Sequence, residues 1–155
     1  MGNDAAGTGA SDQAQRLVDA LALSAFATVA VMSKVGAEHD LSLTQMRVFG
    51  ILRDRRLRMA ELAAHLGLEK STMSGLVDRA EKRGLLARAP SLDDGRAVEV
   101  FLTPAGEELA AYGAARIRDE LSPMTSKLNP ADQQLLRTLL ERTLDPGASG
   151  LDRDN

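Results

Sequence analysis

The sequence predicts a mainly α-helical fold of the α+β class, with about six helices and a single β-hairpin between the fourth and fifth. Apolar residues recur at helical spacing along most of the chain, and the period drops to two only between Gly84 and Thr103. With 155 residues, 44% of them apolar and 26% charged, the chain suits one compact domain with an appended element.

Residues 1–10 are Gly/Ala-rich and residues 145–155 Gly/Asp-rich; both read as disordered tails. Ser11 is a plausible N-cap for a long first helix that ends near Gly36. Leu17, Leu21, Ala25, Thr28, Met32 and Val35 form one face of it, while Leu23, Phe26, Ala30 and Val31 lie off that face. A helix apolar around so much of its circumference needs cover on more than one side, which a second subunit or a monomer core can supply. Ser42 and Gln45 then fit a capping box, with Leu41 and Met46 as its hydrophobic staple. Met46, Phe49 and Leu52 make the inner face of this second helix, and Arg53-Asp54-Arg55-Arg56 reads as a polar connector.

The third helix is short. Met59, Leu62, Ala63 and Leu66 follow its inner face and Gly67 stops it. Leu68 and Glu69 separate it from a fourth helix with Met73, Leu76, Val77 and Ala80 inside and Gly84 as its end. Leu85–Ala89 and Ala97–Leu102 read as strands joined by a turn containing Asp94-Gly95. Thr103-Pro104 opens a fifth helix to about Leu121, where Pro123 interrupts it, and Asn129-Pro130 starts a Leu-rich sixth.

Composition removes several classes of function. There is no Cys, so disulfides, thiolate metal sites and thiol redox sensing are excluded. His39 and His65 stand 26 positions apart, too far for a local helical metal pair, and no metal or cofactor is expected. No Gly-x-Ser-x-Gly elbow, Ser-x-x-Lys or phosphate-binding Gly loop is present, which argues against an enzyme. The longest charge-free stretch, Ala20–Ser33, is 14 residues, short for a bilayer span. Residues 1–10 lack the basic and apolar regions of a signal peptide, so a cytoplasmic location is expected.

Net charge is −3, but it is unevenly spread. Eleven Lys/Arg against seven Asp/Glu give residues 47–96 a charge of +4, leaving −7 for the remainder. A basic middle between acidic ends suits a polyanion met by one region only. The third and fourth helices form a helix-turn-helix candidate. The fourth shows Lys70, Ser71, Thr72, Ser74 and Gly75 on its first turns, small or basic residues that let a backbone approach base edges and phosphates. Arg79 follows for phosphates, and Arg88 and Arg96 on the hairpin make it a wing suited to the neighbouring minor groove. His39 reads as a solvated loop residue, and Asp93 and Asp94 as turn residues.

Ala60-Glu61-Leu62-Ala63, Lys70 to Arg79, Gly84-Leu85, Asp94-Gly95-Arg96 and Leu102-Thr103-Pro104-Ala105-Gly106, in that order, resemble the multiple-antibiotic-resistance regulator (MarR) family. The resemblance covers about Leu17 to Leu144, with Ala80 where the family usually has Leu and Pro123 interrupting the fifth helix. It implies a homodimeric winged helix-turn-helix regulator of double-stranded DNA that binds pseudo-palindromic operators, usually as a repressor released by a small aromatic or lipophilic effector. Residues 11–40 and 104–144 would then form the dimerisation layer and 41–103 the DNA-binding lobe. On the same resemblance Ser71, Thr72 and Ser74 contact bases or phosphates, Arg96 is the wing-tip arginine, and Asp94 is the carboxylate that orients it or a nearby recognition-helix arginine. The effector region would involve Phe26, Met46 and Phe49. The rival reading is a winged-helix architectural or protein-interaction module with no ligand response.

Overall fold

A computed structural model of the chain describes residues 4–91 and 95–144, and the tail 145–155 lies outside them. The elements run α1 (Asp4–Ala37), α2 (Leu43–Leu52), β1 (Leu57–Arg58), α3 (Met59–Leu66), α4 (Lys70–Lys82), β2 (Leu86–Pro90), β3 (Val98–Leu102), α5 (Pro104–Thr125) and α6 (Pro130–Leu144). They fall into two compact units, one reaching Arg118 and the other starting at Asp119.

In the first unit, the capping box at α2 forms as the spacing predicts. The Gln45 N–H donates to Ser42 Oγ at 3.2 Å and the Ser42 N–H to Gln45 Oε1 at 2.9 Å. Gly67 ends α3 in the left-handed region at φ 64°, which places the Leu68 N–H on the Ala63 carbonyl at 3.0 Å. That tight stop lets α4 start after only three residues. Val48, Phe49 and Leu52 of α2, Leu62 and Leu66 of α3, and Met73, Leu76, Val77 and Ala80 of α4 close a single core with Leu86, Val100 and Leu102 of the wing. Ala80 is fully buried in it, so the small residue at this position is filled around and leaves α4 seated on the core.

The sheet has three antiparallel strands in the order β1-β3-β2. β1 is a strand that the polar reading of Arg53–Arg56 passes over. Its two residues, Leu57 and Arg58, gain strand structure only by pairing with Val100 and Glu99. The Arg56 guanidinium stacks on the Phe101 ring at 3.9 Å, so the connector is tied to the sheet through a cation–π contact.

Two helices extend beyond their expected ends. α1 begins at Asp4 instead of Ser11: no proline interrupts residues 4–10, so the helix nucleated beyond Ser11 propagates back through them. From Ser11 to Ala37 it is also long and apolar enough to cross a membrane by length and composition. The charge-free stretch understates its reach, since Asp19 and Lys34 sit within the helix without breaking it. α5 runs through Pro123 to Thr125. Proline there removes the hydrogen bond to the Asp119 carbonyl, and Asp119 is exposed, so water can replace it at little cost.

In the second unit, the Asn129 side chain caps α6 by accepting from the Asp132 N–H at 2.9 Å, and Gln133 Nε2 donates to the carbonyls of Thr125 and Leu128. α6 buries none of its residues; Leu135, Leu136, Leu139, Leu140 and Leu144 are all exposed. α1 buries Val35 near its C-terminal end but leaves Leu17, Val18, Leu21, Leu23, Phe26 and Val29 exposed.

Candidate nucleic-acid interface

The N-cap of α4 is Glu69, whose side chain makes no capping hydrogen bond. The first N–H groups of the helix therefore face outward with the positive end of its dipole, the arrangement that favours a phosphate. Lys70, Ser71, Thr72 and Arg79 are exposed, and Ser74 and Gly75 half-buried. Met73, Leu76, Val77 and Ala80 are buried on the opposite side. One helix thus carries a core face and a polar face of small and basic side chains, as the 3.6-residue period predicts.

At its far end, Gly84 adopts φ 72° and the Leu85 N–H donates to the Ala80 carbonyl at 3.0 Å, turning the chain directly into the wing. β2 and β3 pair from Leu86–Leu102 to Pro90–Val98, and the Ser91 N–H continues the ladder onto the Ala97 carbonyl at 2.8 Å. Ser91 is buried and its hydroxyl lies 2.6 Å from Glu99 Oε1. The hairpin is therefore held to within a few residues of its tip. Arg96 is exposed there, in the turn two residues before β3 begins. Asp94 lies outside the described residues.

Arg88 departs from the expected outward position. Its Nη2 donates to Asp78 Oδ1 and its Nη1 to Glu81 Oε2, each at 2.5 Å, and the side chain is only 26% exposed. The register explains this: Arg88 pairs with the buried Val100 and shares its face of the sheet, so it points under the wing toward α4.

His39 is not solvated as the loop reading expects. Its ring meets Tyr112 of α5 edge-on at 5.1 Å between centroids, and its buried Nε2 has no hydrogen-bond partner among the described residues. Beside it, Arg83 Nη2 and Nη1 donate to the carbonyls of His39 and Asp40 at 2.7 and 3.0 Å. Arg116 bonds Glu38 at 3.2 Å. The α1–α2 turn is thereby fastened both to the end of α4 and to α5.

A cavity of about 250 Å³ lies behind that turn, walled by Met32, Leu41, Met46, Phe49, Leu109 and Ile117, with Arg47 and Arg53 also on its lining. Met46 and Phe49 meet there as expected. Phe26 does not line it and is 71% exposed on α1. Helical spacing alone could not separate a residue facing this cavity from one facing outward on an all-round apolar helix.

The family model described as MarR family matches residues 39–97, the α1–α2 turn through to the wing. The repressor IacR of Pseudomonas putida, named as an HTH-type transcriptional repressor, is 28% identical across 71% of this chain and 66% of its own length. Among solved structures, NadR in complex with 4-hydroxyphenylacetate superposes with a TM-score of 0.68 at 22% identity, covering 80% of this chain and 89% of that one. BpsR of Bordetella bronchiseptica, whose DNA binding is regulated by 6-hydroxynicotinic acid, superposes at 0.65 with 25% identity, covering 82% and 91%. The chain carries a MarR-family domain at residues 39–97.

As a protein with that domain it is a transcriptional regulator and not an enzyme. Thr103 Oγ1 donates to the Gly84 carbonyl at 2.6 Å and accepts from the Gly106 N–H at 3.1 Å, while its own N–H donates to the Leu85 carbonyl at 3.1 Å. The Leu102-Thr103-Pro104-Ala105-Gly106 run locks the start of α5 onto the turn that joins α4 to the wing.

Proposed function

We propose that this MarR-family regulator binds double-stranded DNA sequence-specifically as a homodimer on a two-fold operator, represses transcription there, and is released by a small molecule. The observation that carries the reading is the division of α4 into a buried apolar face and an exposed face of Lys70, Ser71, Thr72 and Arg79, beside a wing ending in Arg96. α4 enters the major groove, where Thr72 and Ser71 reach base edges, and Arg96 enters the adjacent minor groove. The exposed leucines of α1 and α6 support a second copy as the partner that covers them.

The cavity supports the effector part. Its apolar wall and 250 Å³ volume suit a single-ring or bicyclic molecule, and Arg47 and Arg53 suit an anionic group on it. BpsR, which shares the fold, has its DNA binding regulated by an aromatic acid.

A gel shift against the DNA upstream of the gene and its neighbours tests the reading. Retention of one fragment over competitor DNA supports it; uniform, salt-fragile binding would mean an architectural protein, and no binding a protein-interaction module. Within that assay, Thr72→Ala is expected to lower operator affinity by about 1–3 kcal/mol while melting stays unchanged, since the side chain is exposed. Unaltered affinity and sequence preference at fixed salt would place recognition on another face.

Arg96→Ala is expected to reduce the slope of log affinity against log salt by about one unit and to flatten a preference for A·T-rich flanks. Thermal stability should shift by about 0.5 kcal/mol or less. A salt series with an unchanged slope would remove the wing from the DNA contact.

A further inference from the structure

The carboxylates of Asp78 and Glu81 are unexpected on a helix offered to a polyanion. They sit three residues apart on α4, so they share one face, and both hold Arg88 of the wing. A guanidinium is a rigid planar fork, and two carboxylates on its two Nη groups leave it little freedom to turn. The apolar core stops at this level of the hairpin. Val100, paired with Arg88, is fully buried, while Val98, next on the same face, is 52% exposed. Toward the tip, apolar packing no longer fixes the wing against α4. Asp78 and Arg88 also line a groove of about 470 Å³, together with Lys70 and Ser74 of α4 and Ala97 and Val98 of the wing.

We propose that Arg88 is a positioning residue for DNA recognition: the Asp78–Arg88–Glu81 bridge sets the spacing and tilt between α4 and the wing, and Arg88 itself touches no phosphate. The inference rests on the DNA-binding reading above. It gives the two carboxylates a purpose, since with Arg88 between them they hold the wing at the height where Arg96 and the exposed face of α4 reach adjacent grooves together.

The test measures operator affinity, salt slope and flank preference for the full-length wild type, Arg88→Gln, Arg88→Lys and the double variant Asp78→Asn/Glu81→Gln, on DNA selected from a random library. Arg88→Gln should bind about tenfold more weakly. Its salt slope should stay unchanged, because no phosphate contact is lost, and its flank preference should flatten because the wing is no longer held. Arg88→Lys should recover part of the affinity. The double variant is the sharper case. It removes two negative charges beside DNA, so charge alone predicts tighter binding, whereas positioning predicts weaker binding with a flattened flank preference. If Arg88→Gln does not fold, the double variant decides.

Amide exchange in the free protein gives an independent reading: exchange at Val98 and Glu99 should rise in both variants while the α2–α4 core stays protected. A slope reduced by one unit in Arg88→Gln would make Arg88 a phosphate contact and overturn the proposal. So would a double variant that binds more tightly with its preference intact. Wild-type protein that selects no sequence would overturn the DNA-binding reading itself; a wild type that selects one leaves only the role of Arg88 at stake.

Discussion

Replacing Gly106 with alanine is expected to lower stability by about 3 kcal/mol or more and the melting midpoint by about 10 °C. A Cβ at this position would stand 2.0 Å from the Leu85 carbonyl oxygen and 3.2 Å from Leu102 Cδ2. The first of these is backbone, held by its own hydrogen bond from the Thr103 N–H, so it cannot move aside as a flexible side chain would. Relief requires α5 to lift off the turn joining α4 to the wing, which also opens the Thr103 hydrogen bonds to Gly84 and Gly106. Gly113 in the same helix supplies the control. Nothing lies within 4 Å of its built Cβ, so Gly113→Ala should be neutral or stabilising by up to about 1 kcal/mol, as expected for Gly→Ala in an open helix interior. Thermal melts of the two variants check the contrast. Equal effects would mean that crowding at Leu85 is not what the glycine serves.

The second large effect concerns the exposed leucines. Leu136→Glu/Leu140→Glu places two charges one helical turn apart on the uncovered face of α6, where neither side chain contributes to a buried core. The double variant is expected to stay folded by circular dichroism and to sediment as a monomer at micromolar concentration, where the wild type sediments as a dimer. Each leucine buried between copies contributes about 1.5–3 kcal/mol, and a carboxylate in its place reverses the sign. Operator affinity should fall by about 10²–10⁴, the gain that comes from joining two half-site contacts in one particle. A wild type that sediments as a monomer, or a double variant that still pairs, would remove α6 from the interface.

Much of the lobe can be read from residues whose local chemistry leaves few choices. Ser42 with Gln45, Gly67 after Leu66 and Gly84 after Lys82 mark the ends of α2, α3 and α4 because caps and left-handed glycines act within one turn of the chain. Features decided by distant pairing are not legible in the same way. Leu57–Arg58 becomes a strand only because β3 lies alongside it. His39 looks like a loop residue until α5 brings Tyr112 to its edge.

Arg88 is an intermediate case. The alternation Leu86, Arg88, Pro90 places it on the inner face of β2 once Leu86 is assigned to the core, yet an arginine on a hairpin beside the candidate recognition helix invites an outward reading. Phe26 is harder. On a helix apolar all round, nothing in the spacing says which residues face a cavity and which await a second chain.

In the proposed complex, two copies of α4 present their exposed faces to one DNA site. Selection of binding sites from random duplex DNA, followed by footprinting of the selected sequence, tests this arrangement. The expected result is an inverted repeat whose half-site centres lie about one helical turn apart, roughly 34–36 Å, with hydroxyl-radical protection at each half-site and in the minor grooves flanking them where Arg96 lies. A single unrepeated half-site, or no enrichment of any sequence over the starting library, would contradict it.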